Sequence, residues 1–136
     1  MNRIKQAFDL EMNTARIAYA RRDFPLAFHH LERAHILGQR SFSRHWVSHW
    51  WMLKTGLKTR DRREIVGQVL RLIAVVPGFV LGWIPLGNTG GANVSAVRPM
   101  AMPEDLAATL GPVNVWADVA LRLVLLAAIV VAIRFL

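Results

Sequence analysis

The chain has 136 residues, 54% of them hydrophobic, with 17 lysines and arginines against 9 acidic residues and a net charge of +8. That length allows one compact domain, and so large a hydrophobic share places part of the chain in or on a membrane. Cysteine is absent, which excludes disulfides, thiolate metal sites and thiol catalysis, and leaves His, Asp and Glu as ligands for any transition metal.

The first residues, "MNRIKQAFDLEM", mix charged and apolar side chains and lack the long apolar core of a secretory signal, so the N-terminus is expected to stay in the cytosol. Residues 3–20 have a helical period, with Ile4, Phe8, Ala15, Ala18 and Tyr19 on one stripe and Glu11 in its middle. In the turn "RRDFP", Asp23 is placed to cap and Pro25 suits a first helical turn. A second helix, 24–37, turns Phe24, Ala27, Leu31 and Ala34 to the core and closes at Gly38. Ser41 or Ser43 caps a third helix that reaches Leu53 or Lys54, with Gly56 as its stop, and a fourth begins near Asp61. Residues 13–38 resemble a single tetratricopeptide-like helix pair, with an aromatic residue after the turn and small residues where the helices cross. No second copy follows at that period, so the resemblance implies geometry and no peptide groove.

Residues 65–86 are apolar enough to cross a bilayer, yet Gln68 and Arg71 interrupt them and Pro77-Gly78 is expected to kink or break the helix. Before the proline, Ile65, Val66, Val69, Leu72, Ile73 and Val76 share one face, opposite Glu64, Gln68 and Arg71. An amphipathic helix and a full span both fit this pattern. Residues 87–114 form a Gly/Pro-rich loop without helical period. Residues 115–136 match the thickness of a bilayer core and are expected to be a transmembrane helix, with Arg122 pairing with Asp118 and Arg134 reaching the interface. The organisation expected is therefore a 1–64 cytosolic helical domain, a 65–86 apolar helix, an 87–114 loop and a 115–136 anchor. The fold class is all-α: an N-terminal bundle of three to four helices, an apolar membrane-associated segment and a C-terminal transmembrane helix.

Thirteen of the seventeen basic residues fall in 1–63. Basic segments followed by apolar runs fit the positive-inside bias and anionic lipid headgroups. No motif that reads bases accompanies the charge, so membrane lipids are the expected partner and nucleic acid is not.

All five histidines and Glu32 lie in "FHHLERAHILGQRSFSRHWVSHWWML", residues 28–53. If the second and third helices form a hairpin with its tip near Arg40, positions whose numbers sum to about 80 face each other, which pairs His35 with His45. Glu32 and His35 are three apart, and His45 and His49 four apart, so each pair shares a helix face. A buried unpaired Glu11 would cost several kcal/mol, so it needs a proton, a cation such as Arg33, or a metal. The candidate metal ligands are Glu11, Glu32, His35, His45 and His49, with Glu64 a candidate for a second site; the donor set suits Zn, Fe or Mn. "E-R-A-H" at 32–35 also matches the Glu-x-x-His element of dimetal carboxylate bundles, but only one copy is present, so one metal is expected. His29 is expected to be solvated and His30 to make an interhelix hydrogen bond. The tryptophans read as core or interface anchors and Met52 as packing, so haem is not expected.

The runs "HLERAHILGQ", "H-x-x-x-H-W-x-M-L" at 45–53, "DRREIVGQVLR" at 61–71 and "GNTGGANVSAVRPMAMPEDL" at 87–106 resemble the bacterial family catalogued as domain of unknown function 3703, over residues 5–106. The resemblance implies that Glu11, Glu32/His35, His45/His49 and the Gly-Asn-Thr-Gly loop belong to a family pattern, and it implies no mechanism. The final apolar segment lies outside the resemblance; the apolar runs and the basic N-terminal half, in a chain like a bacterial family, give an expected location at the bacterial inner membrane with the N-terminal domain cytosolic. The function expected is a small membrane-anchored helical protein that binds a divalent transition metal between helices, for storage, sensing or transfer or for metal-dependent chemistry. The alternative is a non-catalytic tetratricopeptide-like adaptor that recruits a protein partner at the membrane.

Overall fold

The structure, a computed structural model, describes residues 3–135. Residues 1, 2 and 136, at the ends of the expected first and last segments, lie outside it. Regular structure among the described residues is entirely helical: α1 (Arg3–Ala20), α2 (Phe24–Gly38), α3 (Phe42–Thr59), α4 (Arg62–Leu81), α5 (Glu104–Leu110) and α6 (Val115–Arg134).

α1 and α2 form a hairpin whose turn is fixed by Asp23, its side chain accepting from the Leu26 amide at 3.1 Å, with Pro25 in the first turn of α2. Fully buried Ala15, Ala27 and Ala34 let the helices approach, and Phe8, Met12, Leu31, Leu37 and Met52 fill the core between α1, α2 and α3. Burying a side chain such as Leu31 or Met52 contributes roughly 1.5–3 kcal/mol. At the turn end of the hairpin Tyr19 meets Phe24 and Trp51 edge-on, with centroids 5.6 and 5.5 Å away. α5 closes the other side by setting buried Leu106 into the same core.

Two helix ends differ from the sequence-based expectation. α3 does not stop at Gly56 but runs to Thr59, where Arg60 takes the left-handed conformation at φ 59°. Gly56 stays helical because its bare Cα faces α4: a Cβ there would lie 3.2 Å from the Glu64 side chain, so this glycine serves close packing. α4 likewise passes through Pro77 without a break. The proline removes one backbone bond of the helix, and its apolar neighbours retain theirs. The stop is Gly82 at φ 75°, whose amide donates back to the carbonyls of Gly78 and Phe79.

α4 is turned opposite to an ordinary amphipathic helix. Glu64, Gln68 and Val75 are buried against the bundle, whereas Val66, Val69, Leu70, Ile73, Val76 and Val80 face outward. The polar side chains point in and the apolar stripe points out, so burial of apolar surface is not what seats α4 on α3. α6 has no buried residue. Among the described residues, α4 and α6 are the two helices long and apolar enough to cross a membrane. Asp118 pairs with Arg40 at 3.3 Å rather than with Arg122, which donates to the Phe79 carbonyl and lies over the Phe79 ring, 4.7 Å from its centroid. The α6 backbone places Asp118 toward the α2–α3 turn and Arg122 toward the end of α4.

The 87–114 segment is a folded part of the domain. Asn88 is buried and its side-chain amide donates to the carbonyls of Ser95 and Arg98 at 2.6 and 2.8 Å, while its Oδ1 accepts from the Gly90 amide at 2.9 Å. Those bonds fold residues 88–98 into a compact turn lying along the inner face of α4.

Candidate metal centre

His35 comes from the last turn of α2, and His45 and His49 from adjacent turns of α3. The rings converge, with centroids 4.6–4.9 Å apart. His35 Nε2 lies 3.2 Å from His49 Nε2, which lies 3.1 Å from His45 Nε2. One nitrogen from each ring lies within 4.8 Å of the others, and together they form a group that could hold a metal ion.

The far side of each deep ring decides its tautomer. His35 Nδ1 is 2.9 Å from the Asn88 carbonyl, which only accepts, so Nδ1 carries the proton. His49 Nδ1 is 2.7 Å from Gln68 Oε1. The Gln68 amide is oriented by its own donors: Nε2 gives bonds to Glu64 Oε1 at 2.5 Å and to the Gly90 carbonyl at 2.8 Å, which leaves Oε1 to accept from His49. Both Nε2 atoms therefore present bare lone pairs to one another. A proton on His45 Nε2 could satisfy His49, but His35 would still face it lone pair to lone pair.

Ionisation does not relieve this contact. Burial, then the neighbouring His49 and His45, push the His35 pKa well below its usual value. Burial lowers His45 to about 4, and burial followed by His45 lowers His49 to about 3, with the Gln68 bond acting in the opposite sense. The rings are neutral at pH 7, the form that binds metals. Ligand nitrogens 2.0–2.1 Å from a tetrahedral zinc are about 3.3 Å apart, close to the two separations around His49 Nε2.

Behind the three rings lies a layer of partners of the kind that orients metal-bound histidine. Asn88 holds His35, and the Glu64–Gln68 pair holds His49. Glu64 is itself fixed by the Ala92 amide, which donates to Oε2 at 3.0 Å. Gln39 adds bonds from Nε2 to the carbonyls of Pro85 and Asn88, both at 3.1 Å, tying α2 to the loop.

The carboxylates expected as ligands lie elsewhere. Glu11 sits between α1 and α2, its oxygens 2.7 Å from His30 Nδ1 and 2.7 Å from Arg33 Nε. Arg33 also donates to Asp105 of α5 at 2.5 Å. The reason is helical phase: residues 30 and 33 share the α2 face that meets α1, while residue 35 is turned about 140° from residue 30, toward α3. The arginine and the interhelix histidine bond anticipated for these residues are both present. Glu32, three residues before His35, turns its carboxyl toward the loop at Gly91, where burial raises its pKa, Thr89 opposes the rise and Glu64 adds to it. Glu64 supports Gln68 instead of forming a second cluster. Among the described residues the ligand-like group has three members, all histidine.

The roles of Gln68, Asn88 and Gly90 were not read from the sequence, where Gln68 stood only as a polar interruption of the fourth helix and Asn88 and Gly90 only as members of the Gly-Asn-Thr-Gly run. An uncharged amide inside an apolar helix was the available signal for Gln68, because a buried amide must find partners. The loop residues act mainly through backbone carbonyls, which carry no side-chain signature.

No curated protein and no solved structure matches the chain. A family model described as protein of unknown function (DUF3703) matches residues 2–110. That span takes in all three histidines, Glu64, Gln68 and the Asn88–Gly90 turn and leaves α6 outside, so the chain belongs to the DUF3703 family, with the whole candidate centre inside the family region.

Proposed function

We propose that this protein binds one divalent transition metal ion, Zn, Fe or Mn, through the Nε2 atoms of His35, His45 and His49, at a membrane to which α4 and α6 anchor it. The observation that carries the reading is the 3.2 Å contact between two neutral, deeply buried imidazoles whose Nδ1 protons are committed elsewhere. A shared cation turns that repulsion into coordination. Three imidazoles leave one position of a four-coordinate ion open, an arrangement suited to exchanging an ion or activating a bound water. Storage, sensing or transfer of the ion is the role this supports best.

The membrane part draws on the outward stripe of α4 and the absence of buried residues on α6, since contiguous apolar surface of that size is costly in water. The basic run around the start of α4 supports a cytosolic seating of the bundle, by the positive-inside bias.

The test is metal analysis of protein purified in mild detergent, beside His35→Ala and His49→Ala. Near-stoichiometric metal in the parent and loss in both variants is expected. Equal, near-zero metal in all three after incubation with zinc, iron(II) or manganese would overturn the proposal.

A further inference from the structure

A cavity of about 330 Å³ opens beside the three histidines, which form part of its wall. The remainder is mostly apolar, including Val75, Phe79, Trp83, Ile84, Pro85 and Val97. That size is at the low end for small-molecule sites, roughly 300–1,000 Å³.

Among the polar features of the wall, Arg71 and Gln39 lack a matching partner beside the histidines. The Arg71 guanidinium, half-buried, donates to the carbonyls of Gly67 and Val94 at 3.4 and 2.7 Å, and no carboxylate pairs with it among the described residues. Arg40, in the same wall, is matched by Asp118, and Arg122, also in the wall, donates to the Phe79 carbonyl. Gln39 is 3% exposed, and although its Nε2 is doubly used, its Oε1 has no donor. A divalent ion on neutral imidazoles adds two positive charges beside Arg71. The nearby Glu64 supplies one negative charge and already spends both oxygens on Gln68 and Ala92. In a poorly solvated space that excess attracts an anion.

Building on the proposed metal centre, we infer that the cavity is a binding site for a monocarboxylate with an apolar tail, its headgroup at the open metal position beside Arg71 and its tail along the Val75–Phe79–Trp83 wall. A single negative charge suits Arg71 at the histidine end of the chamber, and a dianion would lose more solvation in so apolar a space. Gln39 Oε1 favours acids with a hydroxyl next to the carboxylate, because that hydroxyl supplies the missing donor. The acid can arrive from solution or from a lipid leaflet, and the headgroup chemistry is the same.

Cobalt(II) serves as the probe metal, because its visible bands report ligand exchange. Full-length protein in nanodiscs is loaded with cobalt and its occupancy measured first; failure to load counts against the metal reading itself. Loaded protein is then titrated with octanoate, 2-hydroxyoctanoate, acetate and 1-octanol, and separately with oleate incorporated in the disc. A saturable band shift is expected with octanoate at tenfold lower concentration than with acetate, none is expected with octanol, and 2-hydroxyoctanoate should be tighter than octanoate. Whether octanoate or oleate acts at the lower concentration identifies the source of the acid. Arg71→Gln at equal cobalt occupancy and melting temperature should weaken octanoate at least tenfold. Cobalt bands indifferent to every acid, or equal affinity for acetate and octanoate, would overturn the inference while leaving metal binding intact.

Discussion

Gly90→Ala gives a direct reading of how tightly the loop fixes the histidine cluster. Gly90 has φ +81°, where an L-residue costs about 1–2 kcal/mol. A Cβ there would lie 2.7, 2.7 and 2.8 Å from three ring atoms of His35, against an ordinary carbon contact of about 3.5–4.0 Å. The ring cannot yield cheaply, since it is 2% exposed and bonded to the Asn88 carbonyl on one side. Forced overpacking of this kind costs about 1–3 kcal/mol. Gly111→Ala is the control: its φ is +68°, its backbone lies in a region that tolerates glycine almost alone, and nothing lies within 4 Å of the added Cβ. Gly90→Ala should therefore melt below Gly111→Ala by roughly 4–12 °C, taking about 4 °C per kcal/mol for a chain of this size. It should also hold less metal, because His35 must rotate away from His49. Scanning calorimetry in detergent with metal analysis makes the measurement. Matching melting temperatures and matching metal in the two variants would refute the packing argument.

Gln68→Leu removes the acceptor that orients His49 while keeping an apolar side chain in α4; metal affinity measured by competition with a chelator should fall by 10–100-fold, and an unchanged value would remove Gln68 from the site. Glu11→Ala leaves Arg33 and His30 without their shared acceptor and should lower stability by about 1–3 kcal/mol with no change in metal content; metal loss would put Glu11 back among the ligands. In the metal-free protein the three histidines have folded pKa values below their unfolded value. Their neutral state is thus no liability above about pH 6.5, and stability falls as pH drops from there through about 4, by about 1.4 kcal/mol per pH unit for each histidine protonated only on unfolding. Urea midpoints of chelator-treated protein at pH 7.5 and 5.5 check the sign: a higher midpoint at 5.5 would contradict burial of neutral rings.

The histidine geometry was legible because it rests on short-range arithmetic. Positions 35, 45 and 49 are fixed by two helical repeats and one tight turn, so the facing register follows from numbering alone. Glu11 was not legible in the same way. Its phase on α1 was read correctly, but its partner depends on which α2 face α1 covers, and positions 30, 33 and 35 differ there by a rotation that a sequence pattern leaves free. The inward polar face of α4 was visible as Glu64, Gln68 and Arg71 on one side, whereas the direction of that side was not. An amphipathic pattern is symmetric between a water-facing polar stripe and a core-facing one; only knowing what lies on each side breaks the symmetry. The loop was least legible, because its contribution to the centre is two carbonyls and a missing Cβ.

The inside-out seating of α4 brings two unlike environments within the width of one helix. Its inward side carries Gln68 against His49 and its outward side carries Leu70 and Ile73, and a helix with its side chains is about 10–12 Å across. In the proposed membrane seating the ion would lie roughly one helix diameter from hydrocarbon. Any change in how α4 rests in the lipid would then reach the ion through a single side chain, so bilayer thickness and composition become variables of metal affinity.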